Sequence, residues 1–198
     1  FENIYILFIG KFFPAAQVGF YTKAKQFQRL SSENIAGAIG GVSFPVYSRL
    51  KDDKTRLRNG MRKFLQHSLL LMVPLLIGII VIADPFVILL IKEKWAPMVP
   101  YLQWLCIIGI LYPVNMVNIQ SITAQGKSRL SFKLDLILNA LRLLNIGVMY
   151  RFGVIYIIWG EVILSFMALI VYTWFIGQFV GYGIWKQAKD TWKIILGG

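Results

Sequence analysis

Lys25 and Arg29 stand four residues apart, a spacing that sets both on one face of a helix, with Tyr21 and Ser32 along the same stripe. Further on, Arg142 interrupts an apolar run between Asn139 and Asn145, and Glu161 interrupts the next run. Lys11, Lys23 and Glu33 complete a set of charges placed inside otherwise apolar blocks. A charged side chain in hydrocarbon is costly, so it turns toward a bundle interior or a polar cavity. Cations held there can receive an anion, and the planar guanidinium matches phosphate oxygens in pairs. Lys25, Arg29 and Arg142 are therefore candidates to contact anionic cargo. Two other readings stand beside that one: Arg142 pairs with Glu161 on the following helix, or Lys11 and Lys23 reach to an interface.

A second constellation is uncharged. Asn115, Asn118, Gln120, Ser121 and Gln125 recur through the later half of one apolar segment. Amides in hydrocarbon need partners, supplied by neighbouring helices or by a polar cargo such as a sugar. Asp84, Asp135 and Glu161 are titratable candidates for coupling to a cation gradient. Cys106 is the single cysteine and His67 the single histidine, so no disulfide framework or cysteine cluster is available within the chain, and no metal site is expected. Nothing matches a phosphate-binding loop, a metal motif or a nucleophile with its base, so the residues make no positive case for an enzyme.

The elements that position these residues are set by composition. The 198 residues are 57% hydrophobic and 15% charged, with a mean hydropathy of +0.63, and the apolar material comes in blocks long enough to cross a bilayer. The spacing predicts an all-α, polytopic transmembrane bundle with spans at about 1–13, 17–47, 64–91, 98–123, 130–150 and 154–180, followed by an amphipathic tail over 184–198. Ser48 to Lys63 reads as a solvated basic connection. The first span, about 10 residues or roughly 15 Å as a helix, is half of the ~30 Å hydrocarbon layer, so its remainder is expected upstream. Alternate connections differ in charge. Arg49, Lys51, Lys54, Arg56, Arg58, Arg62 and Lys63, then Lys127, Arg129 and Lys133, then Lys186, Lys189 and Lys193 fall in one set, against Lys92, Lys94 and Arg151 in the other. Cytoplasmic loops carry the excess of Lys and Arg, which predicts a cytoplasmic C-terminus and accounts for most of the net charge of +12 without nucleic acid.

The order of landmarks resembles the polysaccharide transporter branch of the multidrug/oligosaccharidyl-lipid/polysaccharide flippase superfamily, which includes the O-antigen and colanic-acid type flippases. The resemblance rests on Ile9-Gly10-Lys11, Val18-Gly19-Phe20-Tyr21-Thr22-Lys23-Ala24, Val42 to Leu50 (VSFPVYSRL), Val73-Pro74-Leu75, Ala83-Asp84-Pro85-Phe86, Glu93-Lys94-Trp95, Tyr112-Pro113 and Ala124-Gln125-Gly126-Lys127-Ser128. These run from about Phe1 to Phe179 and look like the seventh through twelfth helices of a protein of two six-helix lobes. Lys92 departs from a frequent Gly, and a Pro common at Ser31 or Ser32 is absent.

The resemblance implies a flippase that moves an undecaprenyl-pyrophosphate-linked oligosaccharide across the bacterial inner membrane by alternating access, with the N-terminal lobe of the same protein, the bilayer and the lipid-linked oligosaccharide as partners. It implies no cofactor beyond a coupling cation, Na+ or H+, for which Glu161 and Asp135 are the candidates. Lys11 and Tyr21 fall on family motif positions and join the substrate-binding set, either contacting cargo or setting helix ends. Lys25, Arg29 and Arg142 supply the cations a pyrophosphate needs in a medium of low dielectric, and Asn115, Asn118 and Gln125 supply polar lining. The rival readings are a cation-coupled multidrug exporter of the same superfamily, against which the excess of interior cations weighs, and a membrane polysaccharide polymerase or ligase, against which the short outward loops weigh.

Overall fold

The structure, a computed structural model, describes residues 2–197, with side chains described except at positions 2–5, 8, 33, 34, 38 and 193–197. Glu33 and Lys193 therefore lie outside the described side chains. The elements in order are α1 (Glu2–Phe12), α2 (Ala15–Leu50), α3 (Lys54–Val81), α4 (Ala83–Ile91), a 3-10 helix (Glu93–Met98), α5 (Val99–Ala124), α6 (Ser128–Met149), α7 (Val154–Val180) and α8 (Ile184–Gly197). No strand occurs among the described residues, so the chain is an all-α bundle.

Three helical stretches, Lys54–Val81, Glu93–Ala124 and Val154–Val180, are long and apolar enough to cross a membrane. The large side chains exposed along the first and third include Leu70, Leu71, Ile77, Val81, Ile163, Ile170 and Trp174. Such a surface suits lipid and would be a liability in water. Two further helices have the length without the uniform apolarity. In α6, Phe132, Leu136, Ile137, Leu144 and Val148 are exposed, while Ser131, Leu138, Asn145 and Ile146 are buried. At 100° per residue these are opposite faces, and Asp135, Asn139 and Arg142 fall on the buried one. α2, 36 residues or about 54 Å long, buries Tyr21, Ala24, Gln28, Ser32, Ala36, Ser43 and Tyr47 along one stripe.

α5 is the hub, packing against α2, α3, α6 and α7, with α2 packing most extensively on it. Gly109 lets three helices converge: a Cβ there would stand 3.1 Å from Leu76 Cδ1 and 3.3 Å from both Gln28 Nε2 and Ser32 Cβ. The apolar core divides in two along the bundle. One cluster holds Ile9, Tyr21, Met72, Leu76, Leu102, Cys106, Ile146 and Ile157; the other holds Tyr47, Leu57, Met61, Leu65, Val117, Leu138, Tyr172 and Ile176.

The stretch from Ser48 to Lys63, expected to be a solvated connection, is helical except for Lys51, Asp52 and Asp53. Asp53 is the reason: its carboxylate accepts from the backbone N–H of Thr55 and of Arg56, each at 3.0 Å, and Arg56 Nε adds an ion pair at 3.3 Å. That N-cap starts α3 three turns before its apolar part and places Arg56, Arg58, Arg62 and Lys63 on helix. The Ser31–Ser32 region continues α2 unbroken, Ser32 Oγ donating to the Gln28 carbonyl at 2.7 Å.

The two sets of loops lie at opposite ends of the bundle. At one end the rings of Phe12 and Tyr150 pack tilted with centroids 4.9 Å apart, and those of Phe20 and Trp95 edge-on at 5.8 Å. At the other, Lys127 Nζ sits 3.0 Å over the Phe179 ring and Arg62 pairs with Asp190 at 3.0 Å.

Lys92 ends α4 with φ 91° and ψ 157°, the one non-glycine residue with positive φ among those described. This backbone region is almost confined to glycine and costs an L side chain about 1–3 kcal/mol. The glycine frequent here in the resembling family thus has a local physical reason. Lys92→Gly is expected to stabilise the fold by about 1 kcal/mol, after allowing for the extra freedom glycine has when unfolded, and to raise the thermal unfolding midpoint. A lower midpoint would show that the strain is absent.

Candidate functional site

The cations named from the sequence fall on α1 and on α2 and α6, the latter two both packed on α5. Lys25 is half-buried and Arg29 exposed at the edge of the buried stripe of α2, whereas Tyr21 belongs to the apolar core at 1% exposure. Lys11 is exposed in the last turn of α1. Lys23 hydrogen-bonds Gln26 Oε1 at 3.3 Å on the exposed side of α2.

Arg142 is half-buried on the inward face of α6, and its Nη1 donates to Asn139 Oδ1 at 3.1 Å. Two turns away on the same face, Asp135 accepts from the Tyr172 hydroxyl at 2.6 Å. Asn145 donates to the Ile157 carbonyl at 2.9 Å. These last two contacts fix the antiparallel register of α6 on α7 and bring Arg142 and Glu161 to similar depth, at the seam between the two apolar clusters. They nevertheless form no ion pair. Glu161 is 8% exposed, and its Oε2 has no hydrogen-bond partner, so the Arg142–Glu161 pairing open from the sequence is not made. The reason is local: Asn139, one turn earlier on the helix, holds the guanidinium.

Seating α6 this closely requires Gly160. A Cβ there would meet Asn145 Oδ1 at 1.9 Å and Cγ at 2.4 Å. The small residue gives α7 a notch into which the Asn145 amide fits.

The amides of α5 divide by role. Asn118 is fully buried, and its amide is taken by protein: Nδ2 donates to Thr173 Oγ1 and to Gln187 Oε1, both at 3.2 Å, and Oδ1 accepts from Gln187 Nε2 at 2.8 Å. It therefore ties α5 to α7 and α8. Gln125 donates to the Ser121 carbonyl at 3.1 Å in the last turn of α5. Asn115 differs, its Oδ1 being buried without a partner. Gln120 accepts from Ser43 and joins α5 to α2.

A cluster at the basic end has almost no trace in the sequence. Asp190 pairs with Arg62 and accepts from the Tyr182 hydroxyl at 3.1 Å, while Gln187 anchors α8 to Asn118. Burial first, and then the Asp190 carboxylate, push the Tyr182 hydroxyl above its ordinary range, against a smaller opposing pull from Arg62. The only signal in the sequence was the amphipathic pattern of the tail. No group of three or more potential metal ligands occurs among the described residues.

Comparison with known proteins places this geometry. The family described as "Polysaccharide biosynthesis protein" matches residues 1–100. The teichuronic acid biosynthesis protein TuaB of Bacillus subtilis (strain 168) is 32% identical over 133 residues, covering 67% of this chain and 28% of that protein. The lipopolysaccharide biosynthesis protein WzxC of Escherichia coli (strain K12) is 29% identical over 133 residues, 67% of this chain and 27% of that one. The succinoglycan biosynthesis transport protein ExoT of Rhizobium meliloti (strain 1021) is 26% identical over 108 residues, 54% and 22%. The matched part of the chain thus spans 22–28% of the length of these curated relatives. No solved structure matches it. With residues 1–100 matched to the family and long lipid-suited helices in the fold, the chain belongs to the polysaccharide biosynthesis protein family, as a multi-pass membrane protein.

Proposed function

We propose that this chain is the C-terminal lobe of a flippase that carries an undecaprenyl-pyrophosphate-linked oligosaccharide from the cytoplasmic to the periplasmic leaflet of the bacterial inner membrane. Residues 1–183 form the lobe and 184–198 a cytoplasmic tail. A homologous N-terminal lobe completes the cavity, and transport proceeds by alternating access between the two. The observation that carries this reading is the family match over residues 1–100. The geometry supports it: a half-buried arginine lies at mid-depth on an inward helix face, in a bundle whose outer surface suits lipid.

In this reading Lys25, Arg29 and Arg142 attract the pyrophosphate, with Lys11 at the outer rim and Tyr21 holding α2 in register. Asn115, whose buried carbonyl oxygen lacks a partner, is the amide best suited to a sugar hydroxyl, and Asn118 and Gln125 shape the wall beside it. The excess of Lys and Arg at the end bearing residues 54–63, 127–133 and 186–189 argues for that end being cytoplasmic. A reporter fused after Gly198 that is active only in the cytoplasm is expected to be active; activity of a periplasm-only reporter would reverse the orientation.

The test of function is complementation. Cells lacking the full-length gene are expected to lose surface polysaccharide and accumulate lipid-linked oligosaccharide facing the cytoplasm, both reversed by the intact gene. Oligosaccharide that reaches the periplasm as single repeat units would identify a polymerase instead, and normal export with altered drug sensitivity an exporter.

Coupling to a Na+ or H+ gradient falls to Glu161 or Asp135. Glu161 is favoured, since Asp135 is engaged by Tyr172 whereas Glu161 Oε2 is buried and unpartnered. Glu161→Gln is expected to abolish the acceleration of flipping by an imposed ion gradient while leaving slow, gradient-independent flipping. Undiminished acceleration would remove Glu161 from that role.

A further inference from the structure

At the basic end, the start of α3 and the start of α8 enclose a cleft of about 220 Å³ lined by Arg58, Asn59, Arg62, Tyr182, Lys186, Lys189 and Asp190. Four cations face one carboxylate. That carboxylate is already occupied, one oxygen by Arg62 and the other by the Tyr182 hydroxyl. Lys186 Nζ gives one hydrogen bond, 2.8 Å to the Gly181 carbonyl, and keeps its other donors. The cleft therefore presents Arg58, Lys186 and Lys189 as positive charge without a lining acid left to balance it, around a space equal to about seven waters.

The rest of α8 says what anion suits the cleft. α8 follows α7, a helix long and apolar enough to cross the membrane, so it begins where hydrocarbon ends. Gln187, on its inner face, is 3% exposed and fixed to Asn118 and to the Tyr182 carbonyl. On another face Ile184, Trp185 and Trp192 are exposed by 42%, 86% and 62%, and positions 184, 185, 188 and 192 form one stripe. Lys186 and Lys189 lie beside that stripe. Tryptophan with an apolar neighbour and flanking lysines is the composition of a helix lying in the headgroup layer.

We propose that the α3–α8 cleft is a binding site for the phosphate of an anionic phospholipid. The lipid's acyl chains lie along the Ile184–Trp185–Trp192 stripe, and its headgroup is received by Arg58, Lys186 and Lys189. This assignment stands whether or not the protein moves a glycan.

Native mass spectrometry of the full-length protein, purified in detergent and exposed to phosphatidylglycerol or phosphatidylcholine, tests it. Wild type is expected to retain phosphatidylglycerol at least about tenfold better than phosphatidylcholine, since each basic group near a membrane surface adds its own increment of attraction to anionic lipid. The triple variant Arg58→Gln, Lys186→Gln, Lys189→Gln leaves the Arg62–Asp190 pair intact and is expected to lose that preference at an unchanged melting temperature. The charge-keeping variant Arg58→Lys, Lys186→Arg, Lys189→Arg is expected to keep it. Equal retention by wild type and the Gln variant would overturn the proposal. Displacement of phosphatidylglycerol by millimolar inorganic phosphate would overturn it in favour of a free-anion site, and preferential retention of undecaprenyl pyrophosphate in favour of a cargo site.

Discussion

Arg142→Gln in the full-length protein is expected to lower surface polysaccharide by about tenfold or more at matched protein level, because a hydrogen bond to a charged group contributes about 1.5–3 kcal/mol and 1.4 kcal/mol is a factor of ten. The substitution keeps an amide donor for Asn139, so the inward face of α6 is preserved and the loss falls on charge. Arg142→Lys retains the charge without the planar fork and is expected to fall between wild type and Gln. Arg29→Gln is expected to act in the same direction from the other flank of α5. Export unchanged in both Gln variants would remove these arginines from the cargo route. A drop in melting temperature equal to that of an ordinary packing defect would turn the Arg142 result into one about folding.

The second large effect concerns Gly160. Gly160→Ala places a Cβ where the Asn145 amide now sits, 1.9 Å from Oδ1. The amide must leave the Ile157 carbonyl, and a buried polar group stranded this way costs about 1–3 kcal/mol, to which overpacking adds. The expected readout is a lowered unfolding midpoint in detergent and slack between α6 and α7. Because the clash and the lost bond involve the same pair, Asn145→Ala is expected to relieve part of the defect. The double variant should therefore be less damaged than the sum of the singles. Strict additivity would mean that the two side chains do not meet.

Much of the bundle is legible in the sequence because hydrocarbon imposes length and because the lipid-facing sides of α3 and α7 are uniformly apolar. α6 is legible for another reason: its Phe132, Leu136, Leu144 and Val148 recur on one side and its Asp135, Asn139 and Arg142 on the other. The basic stretch before Phe64 read as a connection because hydropathy cannot tell a solvated helix from a loop. The sign that could have corrected it was Asp53 followed by Thr55 and Arg56, an N-cap pattern. The tie between Asn118 and Gln187 spans 69 residues and leaves no local trace. For the same reason the choice between Asn139 and Glu161 as partner of Arg142 was open until the rotation of α6 on α7 was known.

The Arg62–Asp190 bridge also fixes how this chain must be drawn across the bilayer. If only the three most apolar stretches crossed, α5 and α7 would form a simple down-and-up pair and α7 would run the other way. Lys186 and Lys189 would then sit some 30 Å of oil away from Arg58. An oxygen and a nitrogen 3.0 Å apart cannot straddle that distance. α5 and α7 therefore run the same way through the bundle, with α6 running back between them.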